Sequence, residues 1–322
     1  MKIVLEIDHD PDCVATLRAN GLSRNVLQAD LVQVDGSTVL RCAGLSRGDV
    51  DIVFGGPSCQ PFSRSNEGRR RGLRDPRGRL VFEFSRIVRE LRPKAFVMEN
   101  VRGLVSSNGG EDLRLLERRF RRMHYLVNSF VLNAADYGVP QSRQRLFIVG
   151  SKERIMPPPE PTHAAKDSPG KGLDGYVTAR EAIGKMDDGR NRRGLESIGG
   201  KYGLLIDAIP PGMNYLFYTS RYAKKNPLFR WRSKFWTFLL KMDPERPSHT
   251  IQATPGPYVG PFHWRNRRLT LQEIKAIQGI PASWKVRGRS KPEYTSDAWR
   301  QVGNAVPPQL ASAVASSVRE SL

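Results

Sequence analysis

Three short runs carry the side chains best suited to chemistry. The first is Gly55-Gly56-Pro57-Ser58-Cys59-Gln60-Pro61-Phe62-Ser63, directly after the apolar stretch Asp51 to Phe54. A thiol on a Pro/Gly turn in that position can be presented as a nucleophile, although the same turn also suits an inert buried cysteine. The second run is Met98-Glu99-Asn100-Val101, again after an apolar stretch. Glu99 there can work as an acid on a substrate or serve only as a cap or salt-bridge partner. The third is Gln141-Ser142-Arg143-Gln144-Arg145, whose alternating arginines suit either an anion site or a solvated strand end.

The surrounding pattern says what must position these residues. Met1 to Asp8 is an apolar, β-branched run, followed by Asp10 as a helix cap, Pro11 at the first helical position and Gly21 just past the end. The unit recurs: Asp51 to Phe54 predicts a strand, Leu80 to Leu91 a helix that stops before Pro93, and Ala95 to Met98 the next strand. A helix from about Asp112 to Met123 and a strand over Arg145 to Val149 follow. Strands alternating with helices predict a doubly wound α/β sheet, with ligands at the carboxyl ends of the strands. All three runs fall at such ends.

From Pro157 the character changes. Pro157, Pro158, Pro159, Pro161, Pro169, Gly170, Gly172 and Gly175 break any regular pattern and predict a boundary, so a second, smaller domain is expected over 157–268. Catalytic sequence would then occupy 1–156 and 269–322. Between Tyr215 and Trp236, eight aromatic residues interleave with Arg221, Lys224, Lys225, Arg230, Arg232 and Lys234. Regular order returns at Thr270, which with Glu273 predicts a capping box ahead of a helix ending at Gly279, and a last helix starts near Pro308.

The 322 residues include 52 Lys plus Arg against 32 Asp plus Glu, a net charge of +20, which calls for a polyanionic partner. Hydrophobic residues at 39% and charged residues at 26% exclude general disorder, collagen and coiled coil. No apolar run approaches the roughly 18 residues needed to cross a bilayer. A cytoplasmic, nucleoid-associated location is therefore expected. Cys13, Cys42 and Cys59 are odd in number and contain no Cys-x-x-Cys pair, which argues against a disulfide framework or a cysteine zinc site. No metal is expected.

Taken together and in order, GGPSCQPFS, ENV and QSRQR resemble the C5 DNA (cytosine-5) methyltransferase family. Asp75-Pro-Arg-Gly78, the run Arg246-Pro-Ser-His-Thr-Ile251 and the closing Gly303-Asn-Ala-Val-Pro-Pro308 follow the same pattern. The resemblance spans nearly the whole chain outside about Pro157 to Lys241. It implies a methyltransferase fold that takes a methyl group from S-adenosylmethionine to C5 of a flipped-out cytosine in double-stranded DNA, of restriction-modification type. In that scheme the Cys59 thiolate adds at C6, Glu99 hydrogen-bonds N3 and the exocyclic amine, Arg143 contacts the base O2 or the sugar-phosphate, and Arg145 supports the site. Cofactor contacts fall on Glu6 for the ribose, Ile7 against the adenine, Asp30 for the adenine amine, Asn304 and Ala305 at the methionine end, with Pro57 and Leu80 completing the lining. DNA contacts fall on Gln60, Ser63 and Ser65 in the arginine-rich catalytic loop, and on Arg230, Arg232 and Lys234 in the recognition segment.

Two departures stand out. Ser58 replaces a second proline, and the family's opening strand with its Phe-x-Gly-x-Gly loop has no counterpart in the 322 residues. That strand is central in the family's sheet, so the sheet is expected to lack one strand. A start site assigned too late explains this best; a complementing N-terminal chain or a catalytically silent, DNA-binding remnant are the other accounts. A monomer is expected, with a cognate restriction endonuclease as a further candidate partner. Because one branch of the resembling family acts on tRNA, tRNA cytosine-5 methylation is the alternative activity.

Overall fold

The computed structural model describes residues 2–58, 73, 76–165, 172–186, 198–223, 226–232, 235–288 and 296–322. The chain divides into two compact units, one of residues 1–133, 144–160 and 312–322, the other of residues 134–143 and 161–311.

In chain order the elements begin with β1 (Glu6–Asp8), α1 (Pro11–Asn20), β2 (Val26–Gln28), α2 (Gly36–Ala43), β3 (Ile52–Gly55), α3 (Leu80–Leu91), β4 (Ala95–Val101), α4 (Glu111–Arg121) and β5 (Leu126–Asn133). There follow β6 (Gln141–Ser142), in the second unit, and β7 (Gln144–Ser151), back in the first. Strands β3, β4, β7 and β5 form one sheet in that spatial order, with β3 parallel to β4 and β7 antiparallel to both its neighbours. β1 and β2 pair with each other in parallel as a separate ribbon.

Local sequence accounts for most of these boundaries. The Asp10 side chain accepts from the Asp12 N–H, Pro11 opens α1, and Gly21 closes it with φ +61. Asp35 caps α2 by accepting from the Thr38 N–H at 2.7 Å. Three details differ from the sequence reading. β1 starts at Glu6 rather than Met1, so Glu6 opens this strand instead of ending it. β4 runs on through Glu99 to Val101, because β7 pairs with all seven of its residues, from Ala95↔Ser151 to Val101↔Arg145. β5 was not foreseen; Asn128 and Ser129 interrupt its apolar pattern.

The core of the first unit is Val81, Phe84 and Val88 of α3, Phe96 and Met98 of β4, Leu116 and Phe120 of α4, and Leu146 and Ile148 of β7. Phe96 and Phe120 stack with ring centroids 4.1 Å apart. Burial of each such side chain contributes about 1.5–3 kcal/mol before chain entropy is counted. Tyr125 joins this core with its hydroxyl donating to the Pro93 carbonyl at 2.7 Å, and burial pushes its phenol up to about 12. A second cluster, of Val34, Val39, Ile87 and Leu91, packs residues from both β1 and β3, including Ile7 and Val53.

The second unit adds β8 (His163–Ala164), β9 (Asp174–Gly175), α5 (Ala179–Ile183), β10 (Ser248–His249), α6 (Leu271–Ile277), α7 (Ser296–Asn304) and α8 (Pro308–Glu320), which from Ser312 on belongs to the first unit. The expected capping box forms: Thr270 accepts from the Glu273 N–H while Glu273 accepts from the Thr270 N–H. Arg267 also grips the Glu273 carboxylate with both terminal nitrogens, at 2.9 and 2.7 Å. Elsewhere Tyr215, Phe229, Phe238, Tyr202 and Tyr258 meet edge to face and build an aromatic core with Ile206, Ile209 and Leu239. The aromatic and basic segment is therefore split. Part of it makes this core, while Tyr222, Trp231, Phe235 and Trp236 remain exposed.

Candidate active site

In the first unit the site is built on two neighbouring strands. β3 ends at Gly55, and the turn Gly56-Pro57-Ser58 leads toward Cys59. Gly55 has no room for a side chain, since a Cβ there would lie 2.4 Å from the Phe84 ring. A Cβ on Gly56 would lie 3.2 Å from a Glu99 carboxylate oxygen, so the turn is already against the acid. Asn100 fixes it there: its Nδ2 donates to the Pro57 carbonyl at 3.2 Å, and its Oδ1 accepts from the Val101 N–H at 2.9 Å. Asn100 is buried. The sequence reading quoted Asn100 without giving it a role, and the turn-holding amide is a residue it missed.

Glu99 lies opposite Phe147 and Arg145 opposite Val101, which makes Glu99 and Arg145 diagonal neighbours on one face of the β4–β7 ladder. Their side chains meet with Arg145 Nε 2.9 Å from Glu99 Oε1, at 12% and 16% exposure. Arg145 also donates from Nη1 to the Gln144 carbonyl at 2.8 Å, while Arg102 donates to Gln144 Oε1 at 2.7 Å. The result is a half-buried carboxylate whose orientation is fixed by a guanidinium and whose position is fixed by a strand. Such a group can bind and polarise an amidine-like edge of a heterocycle.

Arg143 has a different place. It is 1% exposed, and in the second unit its Nη1 donates to the Ile251 carbonyl at 3.1 Å and its Nη2 to the Gly303 carbonyl at 2.7 Å. The side chain expected to contact base or phosphate is thus buried and bonded to two main-chain carbonyls. The guanidinium that meets Glu99 belongs to Arg145. Arg145 supports the site as expected, and the two arginines part because the ladder changes partner between them: β6 pairs with β10, β7 with β4 and β5. Gly303 can offer its carbonyl only by lying close to Ala253, where a Cβ would come within 2.6 Å of the Ala253 Cα.

Gln141 extends this buried network. Its Oε1 accepts from the Ile251 N–H at 3.2 Å and its Nε2 donates to Gln278 Oε1 at 2.7 Å, while Gln278 donates to the Val302 carbonyl at 2.5 Å. Gln278 went unnoticed in the sequence; a glutamine in the apolar end of α6 was the available signal. In the same unit Asn304 is exposed at the end of α7, with Ala305 beside it half-buried.

The residues foreseen for a nucleoside ligand are spread over the β1–β2 ribbon. One Glu6 carboxylate oxygen is buried without a hydrogen-bond partner, and burial raises the Glu6 pKa against the opposing effect of the Ser23 N–H. A carboxylate in that state fits a pair of hydroxyl donors. Ile7 is partly buried and packs against the cluster of Val34, Val39, Ile87 and Leu91. Asp30 is exposed and accepts from the Val32 N–H at 2.9 Å. Pro57 and Leu80 are half-buried.

Arg230 and Arg232 are exposed in the second unit. Cys59, Gln60, Ser63, Ser65 and Lys234 lie outside the described residues. Among the described residues no His, Cys, Asp and Glu cluster can hold a metal ion, and no helix is long and apolar enough to cross a membrane.

Comparison with known proteins gives a consistent picture. The model of the C-5 cytosine-specific DNA methylase family matches residues 1–320. The type II methyltransferase M.SacI of Streptomyces achromogenes is 36% identical over 339 residues, spanning all of this chain and 85% of that protein. The type II methyltransferase M1.HphI of Haemophilus parahaemolyticus is 32% identical over 98% of this chain and 80% of its own length. Among solved structures, a DNA modification methyltransferase encoded within an Escherichia coli prophage superposes with TM-score 0.62 over 99% of this chain and 92% of its own, at 19% identity. The S. pombe Dnmt2 methyltransferase gives 0.57 over 99% and 91%, at 16% identity. At those identities the two structures speak for the fold.

Proposed function

Since the chain belongs to the C-5 cytosine-specific DNA methylase family, we propose that it is the type II modification enzyme that methylates C5 of a flipped-out cytosine in double-stranded DNA, with Cys59 as nucleophile and Glu99 as the acid that activates the ring. The observation that carries the reading is the Glu99 carboxylate, oriented by Arg145 at 2.9 Å and set against the turn that leads to Cys59.

C5 of cytosine is a poor nucleophile, so electrons must first be pushed into the ring. The Cys59 thiolate forms a bond to C6, and the C5–C6 π electrons make C5 enamine-like. Glu99, hydrogen-bonded to N3 and the exocyclic amine, stabilises the charge that develops there. After methyl transfer, loss of the C5 proton and breaking of the C6–S bond restore the ring and the thiolate. Asn100 keeps the turn carrying the thiol in register with the acid, through the Pro57 carbonyl. S-adenosylmethionine supplies the electrophilic methyl group, and Glu6, Asp30, Asn304 and Ala305 are the residues of this chain that would hold it. The unsatisfied Glu6 oxygen supports that assignment for the ribose. Extruding the base costs a few kcal/mol, offset by contacts from Arg230, Arg232 and the arginine-rich stretch 64–79 to the backbone. The recognition segment falls within 157–268.

One feature bears on the cofactor side. β1 pairs only with β2 and β3 only with β4 among the described residues, yet the two strands pack on one cluster of Val34, Val39, Ile87 and Leu91. Two such edges over a shared apolar layer suit one more parallel strand between them.

Bisulfite sequencing of DNA from cells expressing the chain tests the activity. Methylcytosine at one recurring sequence is the expected result. Its absence with Cys59 intact, or labelled methyl groups arriving on tRNA in preference to DNA, overturns the reading.

A further inference from the structure

The segment around Trp231 spends large aromatic side chains on the surface while its backbone is tied down. Phe229 points inward, with its ring centroid 6.2 Å from Tyr215 and 5.7 Å from Phe238. Two residues later Trp231 is 60% exposed, between the exposed Arg230 and Arg232. The main chain beside it is stapled twice. The hydroxyl of the buried Tyr215 accepts from the Arg232 N–H at 2.9 Å and donates to the Arg232 carbonyl at 2.6 Å. The buried Asn214 donates from Nδ2 to the Trp236 carbonyl at 2.5 Å, where Phe235 and Trp236 are again nearly half exposed. Consecutive residues of the core thus hold the main chain at Arg232 and at Trp236, and Trp231 is displayed between two guanidinium groups.

An exposed indole on a fixed backbone gains nothing from water, and its neighbours are cations. It suits a partner that presents flat apolar faces next to negative charge, which describes stacked bases between phosphates. We propose that Trp231 is a stacking wedge that engages the bases of duplex DNA, with Arg230 and Arg232 on the flanking phosphates. This deepens the reading of the chain as a DNA methyltransferase and rests on it. A wedge that partly unstacks a base step lowers the remaining cost of extruding a nearby cytosine and favours easily opened pyrimidine–purine steps. It would supply sequence preference without a hydrogen bond to any base edge.

The test uses the full chain and a fluorescein-labelled pool of duplexes randomised over the central positions, titrated by anisotropy at several salt concentrations. Trp231→Ala is expected to weaken binding about tenfold with the slope of log Kd against log salt unchanged, and Trp231→Phe to stay within about threefold of wild type. Tryptophan emission should be quenched by the duplex in the parent chain and less so in Trp231→Phe. A loss under about threefold for Trp231→Ala, or one accompanied by a shallower salt slope, overturns the wedge. So does equal failure of Trp231→Phe and Trp231→Ala, or unchanged quenching. The paired change Arg230→Ala and Arg232→Ala separates the two levels. If it weakens binding and flattens the salt slope while Trp231→Ala does nothing, the DNA reading stands and the wedge falls. If neither binding nor slope responds to it and Trp231→Ala is also without effect, DNA engagement by this segment is itself refuted.

Discussion

Residues 141–145 contain two polar neighbourhoods that differ in what they leave over. At Gln141 and Arg143 the side-chain amide and both terminal guanidinium nitrogens bond to the protein itself: carbonyls of Ile251, Gly303 and Ile277, and the amide of Gln278. At Arg145 the guanidinium holds Glu99 from one side, and the carboxylate keeps part of its surface. Both are charged, both come from one short motif, and only the second has anything to offer a substrate. A buried network bonded to main-chain carbonyls fixes a structure, while a charged pair at the end of a strand can also meet a ligand.

The largest predicted effect tests the second neighbourhood directly. Cys59→Ala should abolish methyl transfer and the covalent complex with DNA carrying 5-fluorocytosine, whose C5 fluorine cannot leave as the proton does, while duplex binding survives. A trapped complex in the alanine variant would move the nucleophile elsewhere. Glu99→Gln should follow, lowering the transfer rate about 10²–10³-fold, the usual size of losing one preorganised charge-stabilising contact. Its melting temperature should stay close to the parent's, and a variant that unfolds instead would place Glu99 with the structural network.

Arg143→Met runs the comparison from the other side. It strands the carbonyls of Ile251 and Gly303 in the interior and should cost roughly 3 kcal/mol of stability, read by urea unfolding. Arg145→Met, whose partner Glu99 still reaches solvent at 16% exposure, should lose less stability than Arg143→Met and much more activity. The opposite pattern would place Arg143 at the site and Arg145 with the fold.

That difference between the two arginines also marks the limit of what the sequence disclosed. The catalytic runs were legible because residue types, order and flanking apolar stretches repeat a known constellation, and the capping signals at Asp10, Gly21, Thr270 and Glu273 act locally. Which of two arginines spaced by one residue turns inward depends on partners more than 100 residues away, and spacing carries no such information. β5 escaped for a related reason: Asn128 and Ser129 look like a loop until Asn128 is seen donating to the Met156 carbonyl. The aromatic segment interleaves rings and cations along its whole length in the sequence. Its division into a Tyr215–Phe229–Phe238 core and an exposed Trp231, Phe235 and Trp236 depends on hydrogen bonds from Asn214 and Tyr215 that no local pattern encodes.

Glu6 sharpens the comparison with a smaller effect, because it is a polar group the protein has left unsatisfied. Burial raises its pKa, so the fold favours the protonated form. The stabilising contribution of Glu6 is then fully present below its ordinary carboxylate range and is lost as pH rises through the raised value, leaving a charged, half-buried side chain at neutral pH. Glu6→Gln removes that charge at nearly constant shape. It should raise the melting temperature slightly at neutral pH, leave it unchanged at acidic pH, and flatten the profile between. If the free oxygen serves the ribose hydroxyls, the same variant should bind S-adenosylmethionine more weakly by calorimetry, so stability and affinity move in opposite directions. Arg143→Met should show no such opposition, since its contacts serve the fold alone. A Glu6→Gln chain that melts lower at neutral pH would put Glu6 among the satisfied structural groups and remove it from the cofactor site.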